Sequence, residues 1–356
     1  MEGYNKKVIM SYWTICRMKT TKKIYVKVSI IFLLGGILLF SSCEKEENQK
    51  IEANRKTLFM YLPWSSNLTN YFYNNISDLE KCITKIGLNN EKVIVFISTG
   101  STEAMMFEIV SSHGRCKREI LKKYKSPPFT TIDGITAILN DVKAFAPASV
   151  YTMIIGCHGM GWLPVYEMKV RSAPHMKMHW EYQGVPLTRY FGGLTAEYQT
   201  DIKSLASGIA NAGMKMEYIL FDDCYMSSIE VAYELKDVTK YLIGSTSEMM
   251  AYGMPYAAIG EYLLGNPDYQ SGCEEFYNFY STYEIMPCGT LAVTDCSELE
   301  NMAAIIKSIN SKYSFDKSLR GTIQRLDGYT PVIFYDFADY ITSLCNDPIL
   351  LNQFKI

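Results

Sequence analysis

Hydrophobic and polar positions along the chain alternate between two periods. Thr57–Leu62 is a short apolar run, predicted as a buried strand. Phe72, Ile76, Leu79, Ile83 and Ile86 then recur at steps of four and three, the mark of one helix face. Val93–Ile97 is β-branched and reads as the next strand. Met105–Val110 and Glu119–Tyr124 form a predicted pair of strands around the turn His113-Gly114-Arg115. Ile135, Ile138, Leu139, Val142 and Phe145 mark a second helix, followed by a strand over Ser149–Cys157. Residues 159–198 show no regular period. Beyond them come a helix carrying Ile202, Leu205 and Ile209, with Gly213 at its C-cap, and a strand over Met216–Phe221. A helix over Ser228–Leu235 and a strand over Tyr241–Gly244 complete the pattern. Strands alternating with helices predict an α/β fold with a mostly parallel sheet covered on both faces. Ligands of such sheets bind beyond the carboxyl ends of the strands.

The first fifty residues follow a different logic. Lys19, Lys22, Lys23 and Lys27 precede an apolar run from Val28 to Phe40, and Ser41-Ser42 lead to Cys43. That run is shorter than the about 20 residues a spanning helix needs, and the order basic, apolar, small is that of an export signal. A cysteine at the processing point reads as a bacterial lipobox, Phe40-Ser41-Ser42-Cys43, with Phe where Leu is usual. The expected organisation is an extension over 1–17 that is not part of the translated protein, a lipoprotein signal over 18–42 and a lipidated Cys43 with its tether over 43–56. A single domain follows over 57–356. The charged stretch Glu44–Lys50 after Cys43 suits a solvated tether and resembles surface-export signals of bacterial lipoproteins. The expected location is therefore the cell envelope, lipid-anchored in the outer membrane.

Composition narrows the partners. With 48% hydrophobic residues and a formal net charge of −2, the chain has no basic surface of the kind nucleic acid requires. Of its 10 cysteines, those beyond Cys43 show no CxxC pair and no dense spacing, so a disulfide framework is not indicated.

Two predicted strand ends carry chemistry. Strand Ser149–Cys157 runs into His158-Gly159-Met160-Gly161-Trp162, and strand Met216–Phe221 runs into Asp222-Asp223-Cys224-Tyr225-Met226. One end offers an imidazole and the other a thiol. A thiolate is the competent nucleophile, and an imidazole can promote it or protonate a leaving amine. The N–H groups of Gly159 and Cys224 could hold an oxyanion. By spacing alone a buried structural cysteine and a structural histidine are the commoner reading. His175 and His179 stand four apart, but Pro174 precedes them and no HExxH surrounds them, which favours loop histidines over a zinc site. Glu230 is read as a brace for the helix behind Cys224, and Trp162 as wall.

Tyr151–Trp162 (YTMIIGCHGMGW) resembles the clostripain-family segment in which a hydrophobic strand ends in His-Gly. Phe221–Asp237 (FDDCYMSSIEVAYELKD) is similar to that family's Asp-x-Cys-x-Met-x-x-x-Glu-Val-Ala stretch. Thr57–Leu68, with its Tyr-Met and later Asn-Leu, and Leu242–Tyr256 resemble the family's blocks on either side. Val332–Tyr340 matches more weakly. The resemblance implies a caspase-like α/β/α sandwich, a cysteine endopeptidase with His158 and Cys224 as its dyad, and protein or peptide substrates cut after Arg or Lys. It assigns Asp222 to the basic P1 side chain. Asp223 stands where the family often has a small residue, and an acid there could assist cation binding or repel a thiolate. The resemblance further implies self-cleavage between His158 and Cys224, for which Arg171 and Lys177 are the candidate sites. The alternative is an ordinary solvated loop. Calcium dependence occurs in the family, although no calcium-loop pattern is present. It also implies a further strand after the last helix, which this sequence lacks. The rival function is an inactive surface lipoprotein that binds peptides or glycans.

Overall fold

The computed structural model describes residues 54–65, 67–163, 165, 192–193, 196–329 and 332–355. Strand β1 (Asn54–Leu62), helix α1 (Thr69–Ile86) and strand β2 (Glu91–Ser98) open the domain. The hairpin β3 (Glu103–Ser112) and β4 (Arg115–Lys125) follows, then α2 (Ile132–Phe145) and β5 (Ala148–Ile155). Next come α3 (Ile202–Asn211), β6 (Met216–Phe221), α4 (Ile229–Leu235) and β7 (Thr239–Gly244). The remainder is α5 (Tyr256–Leu263), α6 (Tyr269–Ser281), β8 (Ala292–Asp295), α7 (Leu299–Lys312), α8 (Phe337–Leu344) and α9 (Pro348–Lys355).

Among the described residues the strands form one eight-stranded sheet in the order β4-β3-β2-β1-β5-β6-β7-β8. Its five central strands are parallel, and β3, β4 and β8 are antiparallel to their neighbours. From β1 the chain first moves outward to β2, then returns past β1 to β5, β6 and β7. Right-handed crossovers therefore place α1 on one face and α2, α3 and α4 on the other. Contacts agree: α1 packs with α5 and α5 with α6, while α2 packs with α3 and α3 with α4. The result is a caspase-like α/β/α sandwich. Its core is dominated by the central strands, with Leu58–Leu62 and Val93–Ile97 buried throughout. A second, smaller cluster ties α7, α8 and α9 together through Ile309, Ile341, Leu344 and Phe354.

The predicted helix faces are the buried ones: Phe72, Ile76, Leu79 and Ile83 in α1; Ile135, Ile138, Leu139 and Val142 in α2; Ile202, Leu205 and Ile209 in α3. Gly213 takes φ +63° just past α3, as a C-cap demands. The β3–β4 hairpin is longer than its apolar runs suggested. Its turn is two residues, His113 (φ 51°) and Gly114 (φ 69°), so the backbone ladder reaches Ser112 and Arg115. The basic residues of β4 pair through their backbone and leave no apolar trace. Strand β5 stops at Ile155, two residues before the predicted end, because the Cys157 N–H bonds a side chain instead of a strand.

One buried cation lies at the opposite end of the sheet from the strand termini of interest. Lys56 is 3% exposed, and its Nζ donates to the carbonyls of Leu263 (2.6 Å) and Gly265 (3.3 Å). Burial pushes its amine down to about 8, opposed by the nearby Glu91 carboxylate. The unfolded chain keeps this proton to its ordinary value of 10.5, so folding is favoured increasingly as pH rises between those values. Melting temperatures of wild type and Lys56→Met measured from pH 7.5 to 10.5 (roughly the window of that shift) should show wild type gaining relative to the variant. A constant difference would contradict the assignment.

Candidate functional site

Two neighbouring strand ends build the site. The Asp222 N–H bonds the Ile155 carbonyl at 2.8 Å, extending the β5–β6 ladder by one residue. The Asp223 carboxylate then reaches across: Oδ1 accepts the Cys157 N–H at 2.5 Å, and Oδ2 lies 3.4 Å from the Cys157 thiol. Two residues beyond Cys157 and one beyond Asp223, the backbones meet. A Cβ added to Gly159 would sit 2.1 Å from the Cys224 carbonyl oxygen and 2.7 Å from its nitrogen. Only glycine permits that approach.

His158 is 1% exposed. Its N–H donates to the Gly192 carbonyl at 3.1 Å, and its Nε2 lies 2.8 Å from Asn67 Oδ1, just before α1. A carbonyl oxygen at that nitrogen requires Nε2 to carry the proton. Cys224 is 0% exposed, and its sulfur accepts the Met249 N–H at 3.1 Å. A backbone donor aimed at sulfur stabilises negative charge there. Burial pushes Cys82 and Cys273 up to about 11 and Cys296 up to about 12, which keeps them protonated and inert. None of the eight cysteines from Cys82 to Cys345 is disulfide-bonded.

The segment after β7 braces the thiol loop. Tyr225 N–H bonds Ser247 O at 2.9 Å and Ser227 N–H bonds Ser245 O at 3.0 Å. Thr290 Oγ1 holds that segment from behind, within 2.8 Å of Ser245 Oγ and 3.2 Å of the N–H groups of Thr246 and Ser247. Tyr225 itself adopts φ +59°, a left-handed conformation unfavourable to a bulky residue. Its hydroxyl donates to Glu248 Oε1 at 3.0 Å, and its ring stacks on Phe334 at 4.4 Å between centroids. Phe334 also abuts Gly161, and Tyr329 places its hydroxyl 2.9 Å from Met160 Sδ. The C-terminal segment thus clamps both loops. It is folded by Asp327, whose carboxylate accepts the N–H groups of Tyr329, Ile333 and Phe334. Asp222 is 1% exposed, with Oδ1 accepting the Met254 N–H (2.8 Å) and Oδ2 the Tyr256 hydroxyl (3.1 Å).

A model of the clostripain family matches residues 60–347. The chain belongs to the clostripain family of cysteine peptidases. It is similar to iotapain, a secreted cysteine protease from Bacteroides thetaiotaomicron. The two are 59% identical over 85% of this chain and 83% of that one, with a TM-score of 0.78. It is also similar to an inactive zymogen protease from Parabacteroides distasonis, at 25% identity over 84% and 80% of the two chains and a TM-score of 0.69. A second secreted cysteine protease from B. thetaiotaomicron, 20% identical with a TM-score of 0.68 over 85% and 81%, shares the fold. No curated protein matches the chain. Family and 59% identity over most of the chain make this protein a cysteine protease, an enzyme acting on peptide bonds. The rival reading as an inactive binding protein finds no support.

Within this clostripain-family enzyme, His158, Gly159, Asp222 and Cys224 all lie where the two strand ends converge. The Asp223 carboxylate is engaged by Cys157, where it clasps the two strand ends together. Glu230 is exposed in the first turn of α4, where it complements the helix dipole, and Ser228 supplies the cap through its hydroxyl. Trp162 stands at the surface, 44% exposed. Cys43, Arg171, Lys177, His175 and His179 lie outside the described residues. Among the described residues no three His, Cys, Asp or Glu come together as metal ligands, so the calcium implied by resemblance is given no site and no step. Asn67, Glu248, Thr290 and Phe334 were not assigned roles from sequence. Asn67, Glu248 and Phe334 left only the signal of lying in the family-like blocks Thr57–Leu68, Leu242–Tyr256 and Val332–Tyr340, and Thr290 left none.

The strand clasp has a measurable energy. Asp223→Ala leaves the buried Cys157 N–H without its acceptor and should cost about 2–3 kcal/mol of unfolding free energy in urea. Asp223→Asn, which keeps an acceptor oxygen, should lose less. Equal stability of all three proteins would remove the clasp from the account.

Proposed function

We propose that this clostripain-family protease cleaves after Arg or Lys, with Cys224 as nucleophile, His158 as its acid–base partner and Asp222 as the reader of the P1 cation. The observation that carries this reading is the contact of Gly159 with the Cys224 backbone, which holds a thiol and an imidazole on adjoining loops. In the scheme, His158 takes the Cys224 proton and the thiolate attacks the scissile carbonyl carbon. The carbonyl π pair moves to oxygen, where the N–H groups of Gly159 and Cys224 serve as donors. The imidazolium protonates the amine nitrogen, the C–N bond breaks and a thioester remains. Water then adds to the thioester and gives a proton to His158. The C–S bond breaks, and the sulfur leaves as thiolate or recovers the proton. Asp222 suits the P1 role because two neutral donors, Met254 N–H and Tyr256 OH, orient its carboxylate without cancelling its charge.

Burial of both His158 and Cys224 is consistent with a form that awaits processing. A relative is described as an inactive zymogen. We assign that processing to cuts at Arg171 or Lys177, between the two residues. Export as a lipoprotein through Cys43, to the outer membrane, completes the proposal. Another relative is described as secreted, and among the described residues no helix is long and apolar enough to cross a membrane.

Fluorogenic peptides ending in Arg, Lys, Asp or Leu test the reading, using protein that begins at Glu44. Hydrolysis should be confined to Arg and Lys and vanish in Cys224→Ala and His158→Ala. Asp222→Ala should lower Arg and Lys cleavage by roughly a hundredfold, the worth of one lost charge-assisted contact of about 3 kcal/mol. Gels of the same samples should show a cut near Arg171 or Lys177 that Cys224→Ala prevents. A folded protein inert to all four peptides, with or without calcium and after a trypsin nick, would sink the scheme.

A further inference from the structure

We infer that Asn67 is a positioning residue for His158: its side-chain carbonyl holds the proton on Nε2, so that Nδ1 is the nitrogen that exchanges protons with Cys224 and the leaving amine. The inference rests on the proposed site and deepens it from a dyad to a chain of three groups.

The geometry is direct. Asn67 Oδ1 and His158 Nε2 are 2.8 Å apart, a normal hydrogen-bond length. The pair joins the loops that leave β1 and β5, which are neighbouring parallel strands, so the sheet itself sets the separation. Asn67 is held from its own side, its N–H bonded to Ser65 O at 2.8 Å in the turn that precedes α1. Leu68, next to it, is completely buried and pins that turn to the core. The imidazole backbone is fixed independently by the bond from its N–H to Gly192 O. Asn67 acts on the orientation of the ring itself, through the bond at Nε2.

The chemistry follows from the two ring nitrogens being distinct. An imidazole whose Nε2 carries the proton has its basic lone pair on Nδ1. Without an acceptor at Nε2, the tautomer and the ring flip are both unspecified, and part of the population presents an N–H to the thiol. An amide oxygen also stabilises the imidazolium through its dipole, but less than a carboxylate would. Asn67 thus orients the base without locking it in the charged form, which must give its proton to the leaving amine. The titratable groups that adjoining loops bring near His158 are Cys157, Asp223 and Cys224, with Tyr329 against Met160. None of them is altered by changing Asn67, so a moved pH profile reports the imidazole.

The test uses the mature protein, cleaving whichever fluorogenic peptide it prefers, with Asn67→Ala, Asn67→Asp and Asn67→Gln beside Cys224→Ala. Asn67→Ala should lower kcat by about ten- to a hundredfold, a fraction of what a general acid–base contributes, with KM within about twofold. Asn67→Asp should move the acid limb of the kcat/KM profile to higher pH, because an anion at Nε2 favours the imidazolium and so delays the appearance of the neutral base. This variant keeps the size of the native side chain and so remains informative if Asn67→Ala folds poorly. Asn67→Gln should restore part of the activity lost in Asn67→Ala. A wild-type kcat in Asn67→Ala would overturn the inference, as would an unmoved profile in Asn67→Asp, while loss of activity in Cys224→Ala left the proposed site standing. Full activity in Cys224→Ala would overturn site and inference together.

Discussion

The structure depends on a contact between two backbones. Gly159 and Cys224 lie so close that a single methyl group between them would overlap the Cys224 carbonyl. Everything that makes a site follows from that proximity, because it brings a loop bearing an imidazole against a loop bearing a thiol. The contact is affordable only because β5 and β6 are adjacent parallel strands that end at the same level. The Asp222 N–H and the Asp223 carboxylate then continue the pairing past the last ladder bond. A parallel sheet delivers its strand ends to one edge as a matter of geometry, which is why chemistry collects there.

Around that contact the protein sets an unusual number of restraints. Tyr225 is kept in a left-handed conformation by Glu248 on one side and Phe334 on the other. The turn after β7 is threaded through Thr290 and lends its Met249 N–H to the sulfur. Tyr329 and Phe334, far away in sequence, cover both loops at once. Such rigidity is what a reacting geometry needs, since a misplacement of about 1 Å can cost a hundredfold in rate. It also accounts for the contrast among the thiols. Burial raises the thiols of Cys82, Cys273 and Cys296, whereas Cys224 receives the Met249 N–H at its sulfur beside the loop that carries His158.

Much of this was legible in the chain. The 3.6-residue periods of α1, α2 and α3 identified their buried faces, and the β-branched runs identified the central strands. His158 and Cys224 stood out because each follows a strong strand directly. The β3–β4 hairpin was underestimated because β4 is charged along its length and pairs through its backbone, which periodicity does not see. The end of β5 was misplaced because a side chain, Asp223, competes there for a main-chain donor. That clasp left no trace in the local sequence around Asp223. Contacts between residues distant in sequence were invisible in principle: nothing local in Phe334 says that it stacks on Tyr225, and nothing in Asn67 says that it meets His158.

The central claim is that Cys224 is the one thiol activated for acyl transfer and that His158 activates it. Covalent labelling tests this most directly. The enzyme would be incubated with a peptidyl halomethyl ketone ending in Lys, then digested and mapped by mass spectrometry. The account predicts a single adduct, on the Cys224 sulfur, formed far more slowly in His158→Ala. An adduct on Cys157 or another thiol, or labelling of Cys224 at an unchanged rate without His158, would contradict it.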